Sequence, residues 1–182
     1  MNEFDGAWIT TYTGLKFHFL DLTSDEICIE DIAHALSLKC RYNGHCRTFY
    51  SVAQHSLLVA TLAPGYRLEA LLHDAAEAYL PDIPRPIKYQ FPALKQLEDK
   101  ILSVILRKFG IYTISPIVKE ADNIALATEA RILMANTDDW ADLPEPLDMP
   151  IKPMLHAYIE LLYLDAFKLA VHGLEIIHEA KE

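Results

Sequence analysis

The sequence predicts a single all-α domain that carries a short β-hairpin near its N-terminal end. Its 182 residues match one domain of ordinary size. Of these residues 52% are apolar, which is enough to fill a packed core. Only six glycines and ten prolines occur, and long stretches contain neither. Uninterrupted stretches of this kind favour helices.

The elements can be predicted in order from local patterns. Residues 7–20 predict the hairpin, because β-branched and aromatic side chains flank a turn at Thr13-Gly14. Capping residues, glycines and prolines then delimit about six helices. We place them from after Asp31 to Cys40, over 51–62, 67–80, 93–109 and 115–136, and from 152 onward. The proline-rich stretches 81–92 and 140–150 predict loops, since proline breaks a helix interior.

Charge and cysteine content exclude several functions. The formal net charge is −10 and no lysine or arginine cluster occurs, so the chain lacks the basic face that nucleic-acid binding requires. The three cysteines form no CxxC pair and indicate reduced thiols, not a disulfide framework. Charged residues interrupt the apolar C-terminal stretch, and no signal-peptide pattern occurs. We therefore expect a cytoplasmic protein with no nucleic-acid or membrane partner.

Two histidines stand in apolar surroundings that also contain acids. His73 and Asp74 are adjacent within ALLHDAAEAY, where burial of both is unfavourable unless a partner compensates them. A divalent cation is such a partner, because imidazole and carboxylate are ordinary ligands of zinc, manganese or cobalt. His55 in SVAQHSLLVA and Asp122 in VKEADNIALA have similar surroundings. Each residue alone is more often structural, but together they predict a metal site drawn from three helices.

Two further acids follow the proposed ligands. Glu77 lies four residues beyond His73, on the same face of the predicted helix, and Asp82 lies just past the helix end. Hydrolysis at a cationic centre uses one carboxylate to orient a water and another to protonate the leaving oxygen. Glu77 and Asp82 are therefore candidate catalytic residues. The alternative is that they are ordinary helix-end and surface acids.

The order of these residues resembles the HD-domain phosphohydrolase superfamily, whose pattern is H…HD…D with a glutamate three residues after the first aspartate. The resemblance implies one HD helical bundle over residues 1–182 and a single divalent metal ion (Zn, Co, Mn or Mg) as cofactor. The ligands would be His55, His73, Asp74 and Asp122. The spacing HDxxExxxxD, here residues 73–82, is similar to the 5′-deoxynucleotidases of this superfamily, in which the Glu and the second Asp serve catalysis.

A closer resemblance covers the segments on both sides of this pattern. TYTGLKFHFLDL, IEDIAHALSLKCRYNGH and FYSVAQHS upstream, and PDIPRPIK downstream, are similar to small phage and prophage HD enzymes that include the dATP triphosphohydrolases. Those enzymes release the whole triphosphate from dATP. No histidine lies between Asp74 and Asp122, whereas dinuclear members of the superfamily place further histidines there. One metal ion and a hydrolytic reaction are therefore expected.

Cations and flat side chains near the pattern are candidates for contacts with the nucleotide. Arg41 matches the position of an arginine that family members use on the substrate. The other candidates are equally compatible with solvated surface or loop positions: Tyr42, His45, Pro86, Lys88 and Lys119. The lysines would contact the outer phosphates, His45 is a further cation, and Tyr42 and Pro86 would contact the sugar or the base.

Three functions follow as expectations. The first is a deoxynucleoside triphosphate triphosphohydrolase that favours dATP, and the second is a 5′-deoxynucleotidase that acts on monophosphates with the same residues. The third is a metal- and nucleotide-binding module without catalysis, which has no need of Glu77 and Asp82. The partner is then a small deoxynucleotide, the chain is expected to form homo-oligomers, and a phage-borne gene would place it in the host cytoplasm.

Overall fold

The computed structural model describes residues 7–140 and 143–179, the last six by their backbone alone. Within these residues the chain forms seven α-helices and one two-stranded antiparallel sheet, so the predicted all-α fold with an N-terminal hairpin is confirmed. The helices are α1 (Ile29–Leu38), α2 (Val52–Leu62), α3 (Arg67–Leu72), α4 (Arg85–Gln90), α5 (Pro92–Lys108), α6 (Pro116–Leu133) and α7 (His156–Glu179). None of the described helices is long and apolar enough to cross a membrane.

The hairpin consists of β1 (Trp8–Thr10) and β2 (Lys16–His18), with Trp8 opposite His18. Gly14 turns the chain with φ +90°, a conformation that suits glycine. Phe17 is fully buried and stacks on Tyr79, with ring centroids 3.7 Å apart. This contact anchors the hairpin to the segment that follows α3.

Helix α2 lies at the centre of the bundle and packs against α1, α3, α6 and α7. Ser51 caps its first turn by accepting a hydrogen bond from the amide of Gln54 at 3.1 Å. The buried Tyr163 of α7 donates its hydroxyl to the carbonyl of Leu71 in α3. Because α2 is enclosed on several sides, a polar residue on it must find its partners inside the protein.

The helix predicted over 67–80 is wrong beyond Leu72. Helix α3 ends there, His73 and Asp74 follow, and a 3₁₀ turn spans Ala75–Ala78. The Nδ1–H of His73 donates to the carbonyl of Ala70 at 2.7 Å, at the end of α3. Side-chain hydrogen bonds of this kind compete with a continuing helix. The predicted helical face shared by His73 and Glu77 therefore does not exist as an α-helical face.

The expectation that no helix forms in the stretch 81–92 is also wrong. Helix α4 lies within it, with Pro84 at its N-cap and Pro86 as its second residue. The first amides of a helix have no intrahelical partner, so proline is tolerated at these positions. Other boundaries differ by a few residues, as when α6 ends at Leu133 and α7 begins at His156.

Candidate metal centre

Three predicted ligands converge from three helices. His55 lies in α2 and is fully buried, His73 directly follows α3, and Asp122 lies in α6. Their ligand atoms lie within 4.8 Å of one another, so these three side chains could hold a metal ion. The Nε2 atom of His55 is 3.1 Å from Oδ1 of Asp122, and Nε2 of His73 is 3.9 Å from the same oxygen.

Asp74, the fourth predicted ligand, lies at the same place. Its Oδ2 atom is 3.2 Å from Nε2 of His73 and 3.8 Å from Nε2 of His55. The Nε2 atom of His73 is nevertheless buried without a hydrogen bond. Buried ring nitrogens normally have a partner. Imidazole nitrogen and carboxylate oxygen atoms gathered this closely, with one ring nitrogen left without a hydrogen bond, form a donor set suited to a divalent cation.

The protonation of these histidines and aspartates is determined by their burial and by their charged neighbours. Burial alone would lower the pKa of His73, but the charge of Asp74 raises it to about 9. Burial opposes ionisation of Asp122, yet the hydrogen bond from His55 lowers the pKa of that carboxyl to about 2. The carboxylates are thus ionised at neutral pH and balanced by imidazole protons. A metal ion binds such a site by displacing protons, which makes its binding pH-dependent.

Glu129 is a buried acid that the sequence analysis missed. It lies seven residues after Asp122, on the same side of α6. Its Oε1 atom is 2.9 Å from Nδ1 of His55 and accepts the hydroxyl of Tyr50 at 3.0 Å. An ionised carboxylate can only accept, so Nδ1 of His55 carries a proton, and a metal ion at the centre would take the place of the Nε2 proton that is donated to Asp122. The available signal was an acid in the mainly apolar stretch of α6.

Arg41 and Tyr42 lie on the other side of Glu129. Nε of Arg41 is 3.2 Å from Oε2 of Glu129, and its guanidinium also lies 3.8 Å from Asp74. The hydroxyl of Tyr42 donates to the same Oε2 at 3.3 Å. Tyr42 and Asn43 both have left-handed φ values, 57° and 51°, which shape the loop after α1. The structure therefore brings Arg41 and Tyr42 beside the predicted ligands.

Glu77 and Asp82 lie near the centre, in the segment after α3. Glu77 is buried, its Oε1 is 3.4 Å from Nζ of Lys88, and its Oε2 has no hydrogen bond. Burial, followed by the charges of Asp74 and Asp82, raises the pKa of Glu77 well above its ordinary value. Burial also raises the pKa of Asp82. Both carboxyls therefore hold a proton more readily than a solvent-exposed acid does.

The remaining predicted residues differ in position. Lys88 donates to Glu98 at 2.6 Å as well as facing Glu77. His45, Pro86 and Lys119 are exposed, and their side chains make no hydrogen bond or ion pair within the described residues. Among the described residues, the structure therefore shows no polar contact between these three side chains and the cluster.

Arg85 is a second residue that the sequence analysis missed. Its guanidinium donates to Oδ2 of Asp122 at 2.8 Å and to the side chain of Asn123 at 3.0 Å. About half of the Arg85 side chain, 53%, is exposed. The arginine stands between two prolines in PDIPRPIK, and nothing in its spacing alone distinguishes it from a surface charge.

Comparisons with known proteins give relatives without a described activity. No family model matches the chain. The uncharacterized protein YfdR of Escherichia coli is 43% identical over 152 residues, which cover 82% of this chain and 84% of YfdR. An uncharacterized protein of Rhodobacter capsulatus is 36% identical over 152 residues, which cover 75% of this chain and 78% of that protein.

Proposed function

We propose that this chain, which belongs to the same family as the uncharacterized protein YfdR of Escherichia coli, is an HD-type phosphohydrolase that converts a deoxynucleoside triphosphate, with dATP favoured, to deoxynucleoside and triphosphate. The observation that carries the proposal is the convergence of His55, His73 and Asp122 near the buried carboxyl of Glu77, whose Oε2 has no hydrogen bond. A structural ion pair has no need of that additional acid. The order of these residues along the chain also resembles the HD pattern.

The proposed cofactor is one divalent metal ion (Zn, Co, Mn or Mg), with Asp74 as fourth ligand. When bound, such an ion supplies Lewis acidity and neutralises phosphate charge. Glu129 fixes the ring orientation and tautomer of His55, which keeps Nε2 directed at the centre. Nδ1 of His73 is similarly fixed by the carbonyl of Ala70. The chain thus holds both imidazoles in place from their outer side.

Glu77 and Asp82 are assigned to the proton transfers. In this proposal Glu77 orients the attacking water and Asp82 gives a proton to the departing 5′ oxygen. The two roles can be exchanged without changing the overall reaction. The upward direction of both pKa shifts supports general acid–base chemistry, since a carboxyl that holds its proton more readily is a better proton donor at the working pH.

A triphosphate is favoured over a monophosphate by the number of cations around the cluster. Arg41 faces Asp74, Arg85 binds Asp122, and Lys88 faces Glu77. Three cationic side chains are more than one phosphate group requires for charge neutralisation. In phosphoryl transfer, positioning and charge stabilisation provide most of the rate acceleration. Tyr42 and Pro86 remain candidates for the sugar and base, and His45 and Lys119 for outer contacts.

Hydrolysis assays with chromatographic identification of products test the proposal. The purified protein is incubated with Mn²⁺, Co²⁺ or Mg²⁺ and with each dNTP, ATP and dAMP. We expect deoxyadenosine and intact triphosphate from dATP. The Asp74→Ala variant should lose this activity, and the exposed Asp21→Ala variant should retain it.

Two other outcomes would replace the proposal. Phosphate released from monophosphates alone would identify a 5′-deoxynucleotidase. Tight binding of metal and nucleotide without turnover of any substrate would identify a binding module.

A further inference from the structure

Two of the three cysteines lie in contact with each other. The Sγ atoms of Cys40 and Cys46 are 3.4 Å apart, and both thiols are free. A disulfide places its sulfurs about 2.0 Å apart, so each sulfur has to move by less than about 1 Å to form one. Both residues are partly exposed. The pair is therefore positioned for an intramolecular disulfide.

The fold fixes the backbone on each side of this pair. Cys40 follows α1 and forms an antiparallel bridge with Ser51, the N-cap of α2. Arg47, the residue after Cys46, donates its amide to the carbonyl of Leu133 in α6 at 2.8 Å. The two thiols therefore meet because the fold places them together.

The third cysteine, Cys28, has different neighbours. Its thiol donates to Oδ2 of Asp31 at 3.1 Å. Cys28 precedes the ten residues of α1, whereas Cys40 follows them. A helix of this length spans about 15 Å, which is too far for a disulfide between its two ends. Cys28 therefore serves as an internal control for any reaction of the pair.

The loop between the paired cysteines carries two residues of the candidate site. Arg41 lies 3.2 Å from Glu129, and the hydroxyl of Tyr42 donates to the same carboxylate at 3.3 Å. Tyr42 and Asn43 have φ values of 57° and 51°, which cost free energy in residues other than glycine and are maintained by the surrounding structure. A covalent bond that closes this loop acts directly on the backbone of Arg41 and Tyr42.

We propose that Cys40 and Cys46 are a redox modification site, at which a peroxide forms a reversible disulfide that constrains the loop carrying Arg41 and Tyr42. The reduced form is the one described above, in agreement with the reduced thiols that the sequence indicates. Transient disulfides are typical of redox sensing in proteins whose thiols are otherwise kept reduced.

The reaction proceeds in two balanced steps. The sulfur of Cys40 attacks one oxygen of the peroxide, the O–O bond breaks, and a sulfenic acid and one water are formed. The sulfur of Cys46 then attacks the sulfenic sulfur, whose oxygen leaves as a second water with the remaining thiol proton. The two sulfurs together lose two electrons, and hydrogen peroxide gains them. Burial and the neighbouring Cys40 thiol raise the pKa of Cys46, which assigns the first attack to Cys40.

Peptide mapping of the folded protein, treated with hydrogen peroxide in EDTA, tests for the disulfide. Free thiols are alkylated in denaturant, and trypsin then cleaves after Arg41, between the two cysteines. We expect residues 40–41 to be joined to residues 42–47, the two peptides to separate on reduction with dithiothreitol, and Cys28 to be alkylated. Cys46→Ser should abolish the joined peptide, and Cys28→Ser should retain it.

The dose of oxidant is set by an internal marker. Treatment continues until Met154, which is 38% exposed, is converted to its sulfoxide. Oxidised Met154 together with alkylated Cys40 and Cys46 would overturn the proposal. A disulfide to Cys28, or one between two chains, would also overturn it, because the folded structure brings only Cys40 and Cys46 into contact among the thiols of the described residues.

The effect on the loop is measured by hydrolysis of dATP, and this second measurement rests on the proposed function. The oxidised wild type should have a severalfold higher KM than the reduced wild type, because closure of the loop moves Arg41 and Tyr42. The same treatment should not change the KM of Cys46→Ser. An equal KM in protein that the peptide map shows to be oxidised would overturn the constraint on the loop. Lack of turnover in both forms would instead contradict the proposed function, while the peptide map would still test the disulfide.

Discussion

Glu129 is a fully buried acid that stays ionised because of its neighbours. Burial alone would raise its pKa, but the charges of His55 and Arg41 and the hydrogen bonds from His55 and Tyr50 lower it. A buried charge is tolerated only when it is paired and hydrogen-bonded. The same carboxylate orients His55 and holds Arg41. One residue therefore links a candidate metal ligand to the candidate substrate arginine.

The substitution Glu129→Gln should lower the affinity for Mn²⁺ by about 10–100-fold, the range typical for residues that orient a metal-binding histidine. The neutral amide no longer fixes Nδ1 of His55 as a donor. Titration calorimetry of the folded variant measures the effect, and circular dichroism checks that it is folded. Glu120→Gln, at an exposed position of α6, is the matched control. Equal Mn²⁺ affinities for Glu129→Gln and the wild type would remove the orienting role.

The residue scale also shows what a sequence can and cannot predict. His55, His73, Asp74 and Asp122 were predictable because polar groups within apolar stretches need a compensating partner, and the structure brings all four together. Glu129 obeys the same rule, but its partners come from three separate segments, and only the fold brings them together. Arg85 carried no signal, because an arginine in a loop is normally solvated.

At the scale of elements, the segment from α3 to α4 places most of the candidate catalytic groups. The break after Leu72 lets His73 and Asp74 face the centre and puts Glu77 into a tighter 3₁₀ turn. On α4, Arg85 and Lys88 are three residues apart and therefore share one face. Arg85 binds Asp122 and Lys88 faces Glu77, so this short helix lies over two sides of the centre.

The sequence pattern predicts neither the end of α3 at Leu72 nor the helix α4. Residues 67–80 have a composition that favours a continuous helix, and only the His73 side-chain bond to Ala70 shows why it stops. The four prolines of 81–92 predict a loop throughout, whereas Pro84 and Pro86 lie at the start of α4, where proline is tolerated. The helix propensity of single residues does not include which backbone groups are left without hydrogen bonds at a helix end.

One carboxylate of α1, that of Asp31, binds the turn of the hairpin. The carboxylate of Asp31 accepts three hydrogen bonds. They come from the amide of Thr13 at 2.7 Å, the hydroxyl of Thr13 at 3.0 Å and the thiol of Cys28 at 3.1 Å. Burial alone would raise the pKa of Asp31, but these hydrogen bonds lower it below its ordinary value of 3.8. The ionised form is therefore the one that stabilises the fold.

The substitution Asp31→Asn should lower the free energy of unfolding by about 1–3 kcal/mol at pH 7, since an amide accepts fewer hydrogen bonds and leaves a buried donor unpaired. The carboxylate contributes above pH 3.8, its ordinary pKa, and loses this contribution as the pH falls through the lower pKa of the folded state. The difference between wild type and variant should thus shrink between pH 7 and pH 3. Urea unfolding measures it, with the exposed Asp25→Asn as control. A difference that stays constant over this range would contradict the assigned role of the charge.

At the scale of the whole molecule, α7 has an outer face that the bundle does not cover. Ile159 and Tyr163 are buried against the core, whereas Tyr158, Leu161 and Leu169 are each more than half exposed. These three apolar side chains share one face of α7 with the exposed Asp165, and large exposed apolar side chains grouped on one helix face are typical of contact surfaces. The homo-oligomer expected from the sequence stays a prediction, and this face is where we expect self-association.

Sedimentation velocity at micromolar concentration tests that expectation. The wild type should sediment as an oligomer, and a Leu161→Lys, Leu169→Lys double variant should shift toward the monomer, because charge opposes burial of this face. Leu20→Lys, an exposed leucine elsewhere, is the control and should sediment as the wild type. A monomeric wild type would contradict the expectation.

The candidate metal centre joins distant parts of the chain. His55 and Asp122 are 67 residues apart in sequence, and their side chains belong to α2 and α6. The unfolded chain cannot hold these groups together, so an ion that binds the folded cluster stabilises the whole domain by mass action. The net charge of −10 adds a general attraction for cations.

Thermal unfolding in EDTA and in Mn²⁺ should therefore differ. At a free Mn²⁺ concentration of 100 times the Kd, binding adds about 2.7 kcal/mol of stability. For a domain of this size that raises the Tm by roughly 5–11 °C. Asp122→Ala should abolish the rise because it removes a ligand that both imidazoles face, whereas Asp21→Ala should retain it. An equal rise in Asp122→Ala would mean that Mn²⁺ acts elsewhere on the acidic surface, and the cluster would then be an ion-pair network instead of a metal centre.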